Sequence, residues 1–275
     1  MPVLSWSHSK LADFERCRYA FFLKHDQRIP EPPRPLSPGK TEHANERGTR
    51  VHDEMERFVR GQGPLPREAS KFAAEAQKLR DLFLTGAVSL EGEWGMNKDW
   101  EITDWSGHWE PVTGVPHTTT AKKLPDRARD GVVVKVGKLT FMWVPAWLRL
   151  KLDALVFLSP TEAVAIDYKT GKKFGNEIKH GEQLQLYQLV TFLRHPELEI
   201  VHTELWYLDV DDLTLKTFTR EQGLRFRRAM DMRGIKITTC TTFPPNPNVH
   251  SCKWCPYGER PDGNGTGDCK VGVWR

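Results

Sequence analysis

The sequence predicts an α/β fold with a mixed central β-sheet flanked by helices. Amphipathic helical segments occupy roughly the first third of the chain, and strand patterns interrupted by one helical segment follow them. This order, in which helices come first and strands connected by a crossover helix follow, is typical of a mixed sheet with helices packed on it. With 275 residues, 39% of them hydrophobic and 28% charged, the chain can bury a substantial core.

The N-terminal part reads as three helices. The first is predicted over residues 7–24, where Ser7 is an N-cap residue and apolar side chains recur at helical spacing. A proline-rich connector follows at 29–39. The second helix covers 45–60 and the third about 67–84.

Strand character begins near Leu90, and residues 111–130 read as irregular. We expect strands 132–143, 148–158 and 162–168 to form the centre of the sheet, because they are the most apolar. The remaining predicted elements are a helix over 180–194, strands over 200–209 and 213–219, and a last helix over 220–236.

Two acids and a lysine interrupt these apolar strands. Asp153 lies within LRLKLDALVF, and Asp167 and Lys169 end the run AVAIDYK. Charged side chains rarely interrupt such strands unless they pair, bind metal or do chemistry. Lys169 points to the same face as Asp167, because side chains alternate along a strand. The pattern predicts carboxylates that hold Mg²⁺ beside a phosphate, with the Tyr168 carbonyl as a further ligand. The alternative is a surface Asp–Lys pair.

Four further residues are candidates for the same site. His52 follows the string RGTRV in a predicted helix, and Gln183 and Tyr187, four residues apart, share one helix face. Glu93 ends an apolar strand and is a candidate for facing the metal. Each has an ordinary alternative: a core or surface histidine, the polar flank of an amphipathic helix, and an exposed strand-end carboxylate.

The five cysteines are too few and too unevenly spaced for a secreted disulfide framework. Cys252 and Cys255 form a C-x₂-C pair followed by proline, and the others are Cys17, Cys240 and Cys269. A C-x₂-C turn supplies two of the four thiolates that zinc or an iron–sulfur cluster needs. Unligated thiols are the alternative, above all for Cys240.

Charge and hydropathy exclude a membrane protein and allow a polyanionic partner. The net charge is +4 and the pI is near 8.7, with basic residues gathered in the 122–129 loop and the last helix. No apolar run is long enough to cross a bilayer, and the N-terminus lacks the features of a signal peptide. We therefore expect an intracellular, cytoplasmic protein. The tryptophans between Trp94 and Trp109 can serve base stacking or, for most of them, a core.

Four strings in one order resemble the RecB-type branch of the PD-(D/E)XK nuclease superfamily, which includes CRISPR-associated RecB-like exonucleases and many phage exonucleases. They are the Gly48-x₃-His52 element, LKLDALVF, AIDYKTGK and QLQLY. The similarity runs from Ser5 to Cys269 and is weakest over 95–147. It implies a restriction-endonuclease-like core at 45–236 with an insertion at about 95–147, within a single domain spanning 1–275.

The resemblance also implies roles for the candidate residues. His52, Asp153, Asp167 and the Tyr168 carbonyl would bind Mg²⁺ or Mn²⁺, and Lys169 would be catalytic together with the two aspartates. Gln183 and Tyr187 would contact DNA and order the site.

In the branch that carries a 4Fe–4S cluster, one early cysteine joins three near the C-terminus. The resemblance therefore implies Cys17, Cys252, Cys255 and Cys269 as ligands, in a cluster-binding region formed by 1–28 and 240–275. The interval before Cys269 is longer than is usual in that branch, which leaves Cys240 as an alternative ligand and zinc as the alternative metal.

The expected function is a metal-dependent DNA exonuclease acting in recombination, repair or end processing, encoded by a bacterium or a phage. Its expected partners are DNA ends or single strands and a recombination or helicase protein. The alternatives are an endonuclease or flap nuclease with the same site, and a DNA-binding adaptor subunit of a larger complex.

Overall fold

A computed structural model describes residues 3–33, 35–36, 39–117, 119–171, 173–259 and 263–273, apart from the Glu91 side chain. The chain forms two compact units. One combines the N-terminal residues up to Lys40 with the residues from Asp231 onward, and the other runs from Thr41 to Met230. No described helix is both long enough and apolar enough to span a membrane.

The larger unit begins with two helices and then alternates strands with one long helix. Its helices are α3 (Ala44–Val59), α4 (Ala73–Leu84), α5 (Glu177–Arg194) and α6 (Arg220–Leu224). Its strands are β1 (Val88–Met96), β2 (Ile102–Thr103), β3 (Gly107–Val112), β4 (Thr119–Thr120), β5 (Val133–Val136), β6 (Leu139–Pro145), β7 (Leu148–Ser159), β8 (Glu162–Lys169), β9 (Ile200–Tyr207) and β10 (Asp212–Thr219). Helices α1 (His8–Arg16), α2 (Arg18–Phe21), α7 (Phe226–Thr239) and α8 (Val249–Cys252) complete the described set.

The central sheet has six strands in the order β10-β9-β8-β7-β1-β2. The β8–β9 pair is parallel and the other pairs are antiparallel. Helix α5 is the crossover that a parallel pair requires. The predicted α/β class and mixed sheet are confirmed.

The central sheet carries helices on both faces. On one face some even-numbered residues of β7 and β8, among them Ala154 and Ile166, share a buried cluster with apolar residues of α3 and α4. Asp167 lies on the opposite face and is hydrogen-bonded by α5. Asp167 is therefore enclosed between the sheet and α5.

The prediction that 132–143 is one strand of the central sheet is wrong. The segment contains β5 and β6, joined by a two-residue turn at Gly137, whose φ is +61°. A glycine at the first position of such a turn accepts the positive φ that a tight hairpin needs. These strands belong to a second sheet in the order β3-β6-β5-β4.

Three predicted helices are less regular than their hydrophobic periodicity indicated. The first is interrupted at Cys17, which is extended (φ −162°, ψ 112°), and ends in a π-helical turn at Phe22–Asp26. The third starts as a 3₁₀ helix at Arg67–Phe72. The last is divided at Arg225, between α6 and α7. Periodicity over a window does not detect the change of a single residue's backbone conformation.

The smaller unit packs residues from both ends of the chain together. Ala20, Leu23 and Tyr257 form its buried cluster. The Tyr257 hydroxyl donates to the carbonyl of Ile29 at 3.3 Å, and Arg233 forms a two-pronged ion pair with Glu15 at 2.6 and 2.8 Å. In the described part of the proline-rich connector there is neither helix nor strand; residues 34, 37 and 38 lie outside the described residues.

Candidate active site

Two carboxylates face each other across neighbouring strands. The antiparallel register pairs Ala154 with Ile166 and Leu155 with Ala165, and its continuation sets Asp153 opposite Asp167. Directly opposed side chains have Cβ atoms about 5 Å apart. Asp153 is 6% exposed and Asp167 is 3% exposed. Two buried acids at this distance repel each other unless cations or hydrogen-bond donors surround them.

Asp153 is held by one side chain and one backbone group. Its Oδ1 is 2.9 Å from His52 Nδ1, and its Oδ2 accepts the backbone N–H of Tyr168 at 2.7 Å. Burial, and then the charge of Asp167, raise the pKa of Asp153 above its ordinary value. Burial by itself lowers the pKa of His52, but the hydrogen bond and charge of Asp153 outweigh burial, so that the pKa of His52 is raised.

Asp167 receives its donors from α5. Its Oδ1 accepts the Tyr187 hydroxyl at 2.8 Å and Gln183 Nε2 at 3.2 Å. Burial, together with the charges of the two aspartates, raises the pKa of Tyr187 well above its ordinary value, so its hydroxyl stays protonated as a donor. Since Gln183 and Tyr187 are four residues apart, one turn of α5 presents both to the same oxygen.

Lys169 connects the second oxygen of Asp167 with α5. Its Nζ forms an ion pair with Asp167 Oδ2 and donates to Gln183 Oε1 at 2.9 Å. Asp167 Oδ2 is buried and accepts no hydrogen bond of good geometry from the described residues. Among those residues, no three His, Cys, Asp or Glu side chains are already spaced as a set of metal ligands.

Helix α3 brings His52 to the end of the sheet. Val51 and Met55 are buried on its apolar face, and the His52 ring contacts the Tyr168 ring edge-on at 5.8 Å. A Cβ atom at Gly48 would lie 3.6 Å from Thr170 Oγ1, an ordinary contact distance. The backbone of α3 therefore runs close to the segment that follows β8.

Arg47 fixes α3 against two strand ends, and sequence reasoning missed it. Its guanidinium binds Asp209 through two hydrogen bonds of 2.8 and 2.6 Å and donates to the Thr170 carbonyl at 3.0 Å. Asp209 follows β9 and Thr170 follows β8, so this arginine ties the helix of His52 to the strand of Lys169. No local pattern connects residues 47 and 209, because only the fold brings them together.

His180 is a second missed residue beside the site. Its Nδ1 is 2.8 Å from the Tyr207 hydroxyl, and Tyr207 lies next to Lys169 in the parallel register. Burial, followed by the charge of Lys169, lowers the pKa of His180 to about 4. Its position at the start of α5, three residues before Gln183, was the signal available in the sequence.

Glu93 lies opposite Lys151 in the β1–β7 register and is exposed. Its carboxylate contributes none of the hydrogen bonds that join the other candidate residues in the described structure. Of the tryptophans, Trp94 and Trp100 are buried, whereas Trp105 and Trp109 are half-buried.

In the smaller unit, four of the five cysteines line one small cavity of ≈ 20 Å³. They are Cys17, Cys252, Cys255 and Cys269. Burial raises the pKa of Cys255, as do the neighbouring Cys17 and Cys269 thiols. The remaining thiol, that of Cys240, contacts the Thr242 carbonyl at 3.0 Å and is not among the residues that line this cavity.

Two solved structures are similar to this chain at low sequence identity. SSO0001, a solved structure, is 13% identical to this chain, with 94% of this chain and 85% of that chain covered and a TM-score of 0.40. A "Putative exonuclease" from Eubacterium rectale is 12% identical, with coverages of 92% and 86% and a TM-score of 0.42. The comparison with curated proteins found no match.

The family comparison covers most of the sequence. The profile of the PD-(D/E)XK nuclease superfamily matches residues 5–260, a span that contains Asp153, Asp167 and Lys169. Members of this superfamily are hydrolytic nucleases that use divalent metals. The chain belongs to the PD-(D/E)XK nuclease superfamily.

Proposed function

We propose that this protein is a Mg²⁺- or Mn²⁺-dependent DNA exonuclease of the RecB-like type. The observation that carries the proposal is the geometry in which Asp153 and Asp167 face each other across neighbouring strands and Lys169 forms an ion pair with Asp167. Phosphodiester hydrolysis requires an activated water and stabilisation of negative charge in the transition state. Two buried carboxylates and one ammonium group are suited to both tasks.

The residues present fit a divalent cation. Asp153 and Asp167 offer hard oxygen ligands, and Asp167 Oδ2 is buried without a well-formed hydrogen bond from any described residue. We assign His52 and the Tyr168 carbonyl as the further ligands. A bound cation would neutralise charge on the phosphate and acidify a coordinated water.

Lys169 and the α5 residues position the reacting groups. The Lys169 ammonium, held by Gln183 Oε1 at 2.9 Å, can donate to the attacking water or to a phosphate oxygen. Gln183 and Tyr187 fix the orientation of Asp167 through its Oδ1. Because these donors come from a helix, the carboxylate is oriented before substrate binds.

We propose that the enzyme acts on DNA ends because the chain resembles RecB-like exonucleases. The same resemblance supports a role in recombination, repair or end processing beside a helicase or recombination protein. A non-catalytic adaptor has no evident need for a complete set of His52, Asp153, Asp167 and Lys169. An endonuclease or flap nuclease would use the same residues. Only a comparison of linear with circular DNA substrates can distinguish these activities from an exonuclease.

For the smaller unit we propose a 4Fe–4S cluster bound by Cys17, Cys252, Cys255 and Cys269, with zinc as the alternative. The shared cavity of these four cysteines supports this set over one that includes Cys240. Four thiolates are the ligand set of a cubane cluster. Such a cluster would crosslink the two ends of the chain and so stabilise the unit they form.

The test uses end-labelled linear DNA, single- and double-stranded, beside closed circles, with Mg²⁺, Mn²⁺ or EDTA. We expect metal-dependent degradation of linear DNA and intact circles. Cleavage of closed circles would contradict the exonuclease proposal and indicate an endonuclease. If no substrate is cut with either metal while DNA is still bound, the adaptor is the better description.

A further inference from the structure

Arg149 lies on the same face of β7 as the catalytic candidate Asp153. The two residues are four positions apart, and Lys151 lies between them at the intermediate position of the same face, because side chains alternate along a strand. At about 3.3 Å per residue, Arg149 is roughly 13 Å along the strand from Asp153. A nucleic acid strand whose scissile phosphate lies at Asp153 can therefore reach Arg149.

The guanidinium of Arg149 is held in place, but its charge is not compensated. Its Nη2 donates to the carbonyl of Ser106 at 3.3 Å, and its Cζ lies 5.8 Å from the centre of the Trp105 ring. Its Nε is buried and has no hydrogen-bond partner among the residues that the structure describes. Within the described residues, no carboxylate lies at ion-pair distance from it.

Three arginines of α3 and its C-terminus, by contrast, are paired with carboxylates. Arg47 binds Asp209, Arg60 binds Glu56, and Arg50 binds three carboxylates, those of Glu42, Glu54 and Glu68. Arg149 instead has a like charge in its vicinity, Arg127 of the basic loop. Burial, and then the charge of Arg127, lower the pKa of Arg149.

A half-buried guanidinium next to another arginine is unfavourable for folding, because its desolvation is not offset by an opposite charge. An anion would offset it. The planar guanidinium group matches the geometry of phosphate oxygens, and its ring contact with Trp105 holds it in one orientation. The anion that the proposed function supplies is a phosphate of DNA.

We propose that Arg149, with Arg127, binds a phosphate group of the DNA strand at a subsite beside the Trp105 ring. The proposal rests on the proposed function. The subsite lies about four nucleotides from the scissile phosphate if the strand is stacked, and fewer if it is extended. The phosphate is either an internal phosphodiester or the monophosphate at a strand end.

The test measures binding of 3′-labelled single-stranded oligonucleotides by fluorescence anisotropy in EDTA, so that cleavage does not contribute. We expect Arg149→Met to weaken binding about tenfold. The slope of log K against log salt should fall by about 0.7, as for one lost phosphate contact on a single strand. Arg127→Met should act in the same direction with a smaller effect. Because Arg127 is exposed, that variant tests the subsite without disturbing the fold.

The matched control is Arg67→Met, which removes one exposed positive charge outside the basic loop and the last helix. It should change binding less than about twofold. Arg149→Lys keeps the charge but loses the planar fork, and its affinity should fall between wild type and Arg149→Met. The unfolding midpoint of Arg149→Met should be equal to that of wild type or higher, because a desolvated charge has been removed. A residue with a purely structural role would lower it.

Two comparisons between modified oligonucleotides identify which phosphate the subsite binds. If the subsite takes a terminal monophosphate, oligonucleotides with a 5′-phosphate should bind wild type more tightly than those with a 5′-hydroxyl, and Arg149→Met should remove the difference. If it takes an internal phosphodiester, a single neutral methylphosphonate linkage at one position should weaken wild type but not Arg149→Met.

Equal affinity and equal salt slope for wild type and Arg149→Met would overturn the subsite and leave the nuclease intact. Wild-type protein that neither binds nor cuts DNA would overturn the nuclease proposal and the subsite together.

Discussion

At the scale of single residues, the two oxygens of Asp167 have different surroundings. Oδ1 accepts two hydrogen bonds from α5, whereas Oδ2 faces only the ammonium of Lys169 among the groups described. The sequence predicted Lys169 on the face of Asp167 from strand alternation alone. It did not show that Gln183 would bind both residues, because that contact depends on how α5 crosses the sheet.

We expect Lys169→Ala to reduce metal-dependent cleavage by at least about 100-fold, because a positioned ammonium can supply proton transfer or charge stabilisation in the transition state. Cleavage of labelled linear DNA under single-turnover conditions measures the effect. DNA binding in EDTA should change little. Lys179→Ala, which removes an exposed lysine of α5, is the control and should cleave like wild type.

Because the pKa of His180 is lowered in the folded protein, we expect the protein to lose folding stability in mild acid. Its pKa is 6.5 in the unfolded reference and about 4 in the folded protein, so the unfolded chain binds more protons between these values. The contribution of His180 to folding stability is therefore fully present above about pH 6.5 and is lost as the pH falls towards 4. Since His180 is partly exposed, we discount the contribution to about 1 kcal/mol.

Urea unfolding of wild type and His180→Gln at about pH 7 and about pH 5 measures this contribution. The substituted protein should lose less stability on acidification. The same acid sensitivity in both proteins would contradict the assignment.

At the scale of elements, contacts between remote segments hold the functional residues in place. Arg47 joins α3 to the residues that follow β8 and β9. Gly48, which belongs to the string that resembles the family, has room for a methyl group beside Thr170. A Cβ at Gly223 in α6, by contrast, would overlap Gln188 and Phe192 of α5.

We expect alanine substitutions at these two glycines to have opposite effects on the free energy of unfolding. Gly48→Ala should leave cleavage within about twofold and should stabilise α3 by about 0.5–1 kcal/mol, since alanine is the better helix former. Gly223→Ala should destabilise the protein by about 1–3 kcal/mol through overpacking. Urea unfolding and the DNA assay distinguish the two effects. A large loss of cleavage in a stable Gly48→Ala protein would indicate that substrate needs the space at Gly48.

At the scale of the whole molecule, the two ends of the chain form one unit and the residues between them form the other. Cys17 and Cys252 are separated by more than 200 residues, yet both line the same cavity. The resemblance implied this set of cysteines, and the shared cavity supports Cys269 over Cys240. The extended backbone of Cys17, which breaks the predicted helix, is the local feature that the sequence did not reveal.

We expect anaerobically purified protein to contain iron and inorganic sulfide and to show the visible absorbance of an iron–sulfur cluster. Serine at Cys17, Cys252, Cys255 or Cys269 should remove the iron and lower the unfolding midpoint, because metal binding contributes to folding free energy. Cys240→Ser should keep both. Colourless protein with stoichiometric zinc would establish the alternative metal, and protein with neither metal would refute the site.

The sequence by itself determined the α/β class, the approximate position of most elements and the residue types available for chemistry. These properties depend on local periodicity: alternation along strands, helical spacing in α3 and α5, and acids that interrupt apolar runs. The tertiary structure decided which residues meet. Strand register sets Asp153 opposite Asp167, and packing brings His52 to Asp153 across 101 positions of sequence. The tertiary structure also places β5 and β6 in a second sheet, and it brings no carboxylate of the described residues to ion-pair distance from Arg149. Pairing between distant segments depends on the packing of the whole chain, which no local window of sequence contains.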